Sequence, residues 1–248
     1  MAAAAIVVAA LAGWEALVRL GGVDELILPA PTSVAEALWD DRALLADDLA
    51  VTTWEVLLGL GAAVAAGALL GVAMHASEPA RRALRPLVIG SQAVPVPVIA
   101  PLVVLVFGFG LAPKVLLVAL VCFFPVAINL YDGLRDTDPD ARKLLRSLDA
   151  SRWQTLRMLE APSALPAAFT GVKVAAAVAV IGAVFAEWSG SDAGLGHALL
   201  IANGQLETAR AFAATLLLFL LAVALYGAVA LLERRVVDWT PRSTPGGP

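Results

Sequence analysis

The sequence predicts an all-α, polytopic membrane protein with about six transmembrane helices, and three observations predict it. Of its 248 residues, 60% are hydrophobic and only 15% charged, against roughly 45–50% apolar and 25% charged usage in soluble domains. Six apolar stretches have the roughly 17 to 25 residues a helix needs to cross a bilayer, at approximately 3–20, 52–74, 87–107, 112–131, 165–186 and 212–232. One long polar island, Arg135 to Pro166, interrupts them. The same composition excludes a basic nucleic-acid footprint. The lone Cys122 rules out an intrachain disulfide or a cysteine metal cluster.

Each element has a local reason. The first apolar stretch contains Glu15 and lacks the positively charged flank that a signal peptide requires, so it reads as a retained helix. After it, Pro29 and Pro31 precede Ser33 to Leu49, which reads as a short amphipathic helix on the outer surface. The run Gly59 to Gly71 lets helices approach closely, either within one subunit or between two. Pro95, Pro97 and Pro101 should bend the third span. In the island, Asp138 can cap a helix that Pro139 opens. A second start follows, with Ser151 and Gln154 at capping-box spacing and a run to Glu160 that should stop before Pro162. The break between the two short helices falls at Asp149 and Ala150, and Asp149 tolerates the left-handed conformation such a turn needs. Ala193 to Ala202 is too short to span and reads as a re-entrant or interfacial element.

Bases orient the chain. With both termini cytoplasmic, the inner loops hold Arg81, Arg82, Arg85, Arg135, Arg142, Lys143, Arg146, Arg152, Arg157, Arg234, Arg235 and Arg242. The outer segments hold only Arg19, Arg42, Lys114 and Arg210. That asymmetry places the polar island in the cytoplasm.

Arg146 to Pro166 (RSLDASRWQTLRMLEAPSALP) resembles the cytoplasmic loop of permease subunits of bacterial ATP-binding-cassette importers, whose consensus is E-A-A, three residues, Gly and a distal Leu-Pro. Pro101 to Lys114, Phe123 to Gly133 and Gly171 to Glu187 look like the nitrate, taurine, sulfonate and pyrimidine-precursor branch, so the likeness covers roughly Thr52 to Trp239. The chain departs from the pattern where Lys143, Leu144 and Leu145 stand at Glu-Ala-Ala, Asp149 at the Gly, and Ala161 before Pro162. The resemblance implies that Lys143, Leu144, Leu145, Asp149, Ala150, Ser151, Arg152 and Trp153 form a coupling helix seated in a groove of a separate ATPase. It also implies a second permease copy (a homodimer), two ATPase subunits, a solute-binding protein outside, and residence in the bacterial inner membrane. The chain has no G-x-x-x-x-G-K-[ST] phosphate loop. It therefore reads as a transport subunit and not an enzyme, with no cofactor of its own and with ATP and Mg bound by the partner ATPase. Three segments follow from this division: 1–50, the first span and an extracytoplasmic segment; 51–239, the permease domain; and 240–248, a flexible cytoplasmic tail.

Gln92, Pro95, Pro97, Asn129, Lys173 and Glu187 are the candidates for a translocation path or gate. Each has a plainer reading beside it: interhelical hydrogen bonding for Gln92 and Asn129, snorkelling for Lys173, a packing kink for the prolines, and a solvated helix end for Glu187. Trp153 and Arg152 could instead lie at headgroup level. His75 and His197 have no second metal ligand nearby in sequence. Val180 to Gly196 and the ending LLERRVVDW look most like importers of hydroxymethylpyrimidine-type thiamine precursors, with aliphatic sulfonate, taurine or nitrate as the alternative. An ion-coupled carrier or channel without an ATPase is the alternative of another class. It would need buried charge pairs in the spans, and Lys173 is the one intramembrane charge the sequence suggests.

Overall fold

The computed structural model describes residues 2–239. Met1 and the expected tail 240–248, with Arg242, lie outside them. Every regular element among the described residues is a helix: α1 (Ala2–Gly21), α2 (Pro31–Asp40), α3 (Arg42–Ala76), α4 (Glu78–Gly90), α5 (Val96–Phe107), α6 (Leu111–Arg135), α7 (Pro139–Ser147), α8 (Arg152–Thr155), α9 (Ala161–Gly190), α10 (Leu195–Gly204) and α11 (Thr208–Val236). Among the described residues four stretches are long and apolar enough to cross a membrane: α3, α6, the continuous run Arg152–Gly190, and α11. The bent pair α4 and α5 counts as a fifth if it is one span.

Tight contacts between α3, α6 and α9 form the centre of the molecule, and small residues allow it. A Cβ placed on Gly67 of α3 would lie 2.8 Å from the Phe123 carbonyl oxygen of α6, and one on Gly171 of α9 would lie 2.5 Å from the Pro125 oxygen. The glycine run in α3 therefore serves packing inside one subunit. Around those contacts Val56, Ala63, Val118, Cys122, Val126, Ala175, Ala179 and Ala183 are buried together. Such interfaces are held by close packing, because lipid supplies no hydrophobic drive for one helix to prefer another. Gly171→Val should accordingly destabilise the protein by about 1–3 kcal/mol, since a backbone carbonyl cannot yield as a side chain can. The check is a thermal melt of the purified protein in detergent.

Four expectations need correction. The segment 33–49 is not one surface helix: α2 ends at Asp40, and from Arg42 the chain is already α3, which runs unbroken through the anticipated 50/51 boundary. Leu45 drives this, since it is buried in the core at 1% exposure and so continues the inward face of the span. The stretch 87–107 is not one helix: α4 and α5 meet at 103° across a 3-10 turn at Ser91–Ala93. Val94 is extended (φ −90°, ψ 120°), the conformation a residue before proline prefers, and Pro95 then begins a new helix rather than bending an old one. The helical run does not stop before Pro162. A π turn at Leu156–Glu160 precedes it, with the Ala161 N–H donating to the Leu156 oxygen. That extra residue in the turn accommodates the ring, which would otherwise strike the carbonyl four residues back. Finally, the short element is displaced slightly, from 193–202 to α10.

The direction of the helices is set by contacts at their two ends. At one end lie α7 and α8, the end of α3 and the start of α9, joined by a His75 to Glu160 contact. At the other lie α10, the start of α3, the start of α6 and the end of α9, joined through Glu187 and Lys114. The end of α1 belongs to this second group, because Arg19 donates to the Thr32 hydroxyl at 2.7 Å, beside α2.

Candidate functional site

At the first end, α7 and α8 form a compact two-helix projection with defined caps. The Asp138 carboxylate accepts from the Asp140 N–H at 2.8 Å. The Ser151 hydroxyl accepts from the Gln154 N–H at 3.2 Å while the Gln154 side chain accepts from the Ser151 N–H at 2.7 Å, a complete capping box. Between them Asp149 is left-handed, with φ of 57°. Caps and turn together fix the angle at which the projection stands away from the spans.

What the projection presents is apolar at its centre and basic around it. Leu144 is 62% exposed, Leu148 68% and Trp153 67%. Arg146 and Arg152 are exposed beside them, and Lys143 pairs with Asp140 at 2.8 Å. Leu145 and Ala150 are half-buried, and Ser151 is spent on its cap. Trp153 flanked by Arg146 and Arg152 has the composition of a protein-binding hot spot, and Leu144 and Leu148 extend its apolar area.

Glu160, which sequence reasoning passed over, ties this projection to the spans. It is 8% exposed. Its carboxylate accepts from Arg142 Nε at 2.7 Å and lies 2.8 Å from His75 Nε2. Arg142 also donates to the carbonyl oxygens of Leu134 (2.5 Å) and Arg135 (3.3 Å), the unsatisfied acceptors at the end of α6. One side-chain cluster thus joins α7 to α3, α6 and α9. A cavity of about 540 Å³ lies against it, lined in part by Arg146, Arg152 and Trp153. The sequence signal was present but faint: an acid directly before the proline-containing start of a span, in an otherwise basic stretch.

The residues anticipated for a path or gate do not converge. Gln92 is exposed in the 3-10 turn, and Pro95 and Pro97 open α5 at the bend. Asn129 makes no interhelical hydrogen bond. Its amide donates to the Pro125 oxygen of its own helix at 2.7 Å. Lys173 does not snorkel freely either, because it pairs with Glu233 of α11 at 2.7 Å. Glu187 is neither a solvated helix end nor open to a vestibule: it is 1% exposed.

Glu187 belongs instead to a buried polar cluster at the second end. Its Oε1 accepts from the Thr52 hydroxyl at 2.7 Å, and its Oε2 accepts from the N–H of Gly196 at 2.5 Å and of His197 at 3.3 Å. The Thr52 oxygen accepts in turn from the Leu195 N–H, and the Asp48 carboxylate from the Gly194 N–H at 2.7 Å. Carboxylates thus hold the positive end of α10. Gly196 is required there, since a Cβ would stand 2.6 Å from the Glu187 oxygen. Lys114 donates to Glu55 Oε1 and to the Ser191 hydroxyl, both at 2.6 Å. Lys173 is therefore not the sole charge within the spans. Glu55, 3% exposed, stands inside the anticipated span 52–74 and was the readable sign of this second charged site.

Comparison with known proteins adds the following. Residues 63–238 match the family model described as the binding-protein-dependent transport system inner membrane component. The chain is 34% identical to the formylaminopyrimidine transport permease protein ThiX of Halalkalibacterium halodurans, over 91% of this chain and 90% of that protein. It is 38% identical to the riboflavin transport system permease protein RibX of Chloroflexus aurantiacus, over 91% and 85%. A chain in the crystal structure of an amino acid ABC transporter with histidines superposes with a TM-score of 0.63 at 16% identity, covering 80% of this chain and 96% of that one. That last likeness speaks to the fold alone.

Proposed function

This chain belongs to the family of binding-protein-dependent transport system inner membrane components, the permease subunits of ATP-binding-cassette importers, and from that premise we propose that it forms the translocation path for a pyrimidine-type thiamine precursor. It is a multi-pass inner-membrane protein and not an enzyme. ATP hydrolysis is the work of a partner ATPase, and a binding protein delivers the solute.

The substrate reading is supported by the likeness to a formylaminopyrimidine permease along nearly the whole chain, in agreement with the segment Val180 to Gly196. The comparable likeness to a riboflavin permease supports a second reading, a larger heteroaromatic vitamin. Aliphatic sulfonates, taurine and nitrate are the third. Uptake of labelled hydroxymethylpyrimidine into cells carrying or lacking the gene, together with its own binding protein, tests this. Gene-dependent uptake that unlabelled riboflavin and taurine leave untouched is the expected result. Competition by either would move the substrate to that class and leave the permease assignment in place.

In this reading α7 and α8 are the coupling element on the cytoplasmic side, with both chain termini on that side and α10 outside. Two copies of the chain enclose one path, and two ATPase subunits bind beneath them. The observation that carries the coupling role is the capped two-helix projection with Leu144, Leu148 and Trp153 uncovered. The uncovered apolar side chains of α5, Leu102, Leu105 and Val106, support a face for the second copy. Closure of the ATPases would shift the paired projections, and the Arg142, Glu160 and His75 contacts would pass that shift to α3, α6 and α9 as a change between two packed states. ATP and Mg stay with the ATPase. The ion-coupled alternative expected buried charge pairs, and one is present in Glu55 and Lys114. Family membership nevertheless assigns the energy source to the ATPase.

A further inference from the structure

The cavity beside α7 and α8 holds two cations that no acid of the chain neutralises. Its volume of about 540 Å³ falls in the range of small-ligand pockets, roughly 300–1,000 Å³. Arg146 of α7 and Arg152 of α8 both line it, and among the described residues neither guanidinium has a hydrogen-bond or ion-pair partner. Glu160 is the one acid in the lining, and both its oxygens are engaged, Oε1 by Arg142 and Oε2 by His75. Close by, Asp140 is paired with Lys143, and Asp149 is exposed outside the lining. The left-handed turn at Asp149 and the caps at Asp138 and Ser151 fix the backbone positions from which the two arginines project. Around them the walls are apolar: Val72 and Ala76 of α3, Leu156 of the π turn, and Trp153.

We propose that this cavity is a binding site for a phosphate group, held between Arg146 and Arg152. Guanidinium N–H groups in a planar fork match phosphate oxygens and form charge-assisted hydrogen bonds to them. Two unpaired arginines balance the charge of about −1.5 to −2 that a phosphate monoester carries at neutral pH, whereas a single carboxylate would leave one of them unmatched. Two sources share this chemistry, a soluble phosphate and the headgroup of an anionic phospholipid. The second has a surface to follow, since Val72 and, one turn earlier on α3, Leu69 are 38% and 73% exposed. Because α3, α7 and α8 all line the cavity, an occupant ties the projection to the first long span. It thereby adds a link beside the one that Glu160 makes.

Thermal melts of the purified full-length protein in one detergent test this, with no ATPase, solute or transport in the assay, so the result stands apart from the substrate and coupling readings. The probes are inorganic phosphate and dihexanoyl phosphatidylglycerol. Chloride at equal ionic strength and dihexanoyl phosphatidylcholine are the controls. The expected result is a saturable rise in Tm that neither control gives. A rise with inorganic phosphate identifies a soluble source, and a rise with phosphatidylglycerol alone identifies a lipid headgroup. Arg146→Gln and Arg152→Gln should each weaken the apparent affinity about 10-fold. Both should melt like the wild type in chloride, since both side chains are exposed and unpartnered. Arg157→Gln, exposed and outside the lining, should keep the full shift. Absence of a saturable rise with either probe overturns the proposal, as does a rise that survives both cavity substitutions or is lost equally in Arg157→Gln. If no probe binds and the two cavity substitutions lower the affinity for the ATPase instead, the occupant is an acidic side chain of that partner and the phosphate site is overturned.

Discussion

Trp153→Ala should weaken the hold of this permease on its ATPase by about 2 kcal/mol, roughly 30-fold in Kd, and should cut uptake while leaving the protein folded. Trp153 is 67% exposed, so its removal opens no cavity in the molecule. Its position is nonetheless well determined. The capping box at Ser151 and Gln154 fixes the turn that carries it, and the π turn behind it joins that turn to a 30-residue helix. A flat, pre-positioned aromatic side chain costs little entropy when it enters a partner's groove, which is why such residues dominate interfaces. The measurement is the affinity of purified ATPase for wild-type and variant permease in nanodiscs, with uptake at matched expression. If Trp153 only floats at headgroup level, neither quantity changes and the coupling role of α8 is lost with it.

The contacts behind this surface show which parts of the molecule could be read in advance. Asp138, Ser151, Gln154 and Asp149 act within four residues of themselves, so their roles are local chemistry and the sequence displays it. The four long helices follow from apolar length. Pro95 announced the break between α4 and α5, although its sharpness depends on where α5 finds a surface to pack against. The largest failures are nonlocal. Glu160 reaches back 85 residues to His75, and Glu55 meets Lys114 across 59, distances over which nothing in a single sequence pairs one side chain with another. An acid such as Glu55 is also easily passed over, since one charge among many apolar residues leaves a stretch long and apolar enough to span. Glu187 illustrates the opposite error. A carboxylate at a span end invites a solvated reading, and only the fold of α10 back over it makes it buried. Pro162 misled for a third reason: proline stops a helix unless a π turn makes room for it, and whether it does depends on how the preceding turn is held.

Lys114→Met should cost about 3–5 kcal/mol, the range expected when one partner of a buried ion pair is removed. Among the described residues Lys114 is the only cation paired with the acidic cluster of Asp48, Glu55 and Glu187, and its side chain is 9% exposed. Without it Glu55 loses its donor, Ser191 loses a tie that fixes the loop before α10, and the remaining negative charge has little solvent to screen it. The pair itself need not contribute net stability, because desolvating both ions offsets most of their attraction. That distinction makes the double variant informative. Lys114→Met with Glu55→Gln removes charge on both sides and should recover most of the loss, to within about 1 kcal/mol of the wild type, a strongly non-additive outcome in a double-mutant cycle. Thermal melts of the four proteins in one detergent decide it. If the double variant is as unstable as Lys114→Met alone, the lysine acts mainly through Ser191 and the packing of its own stem. The charge balance beneath α10 would then be held by some other means.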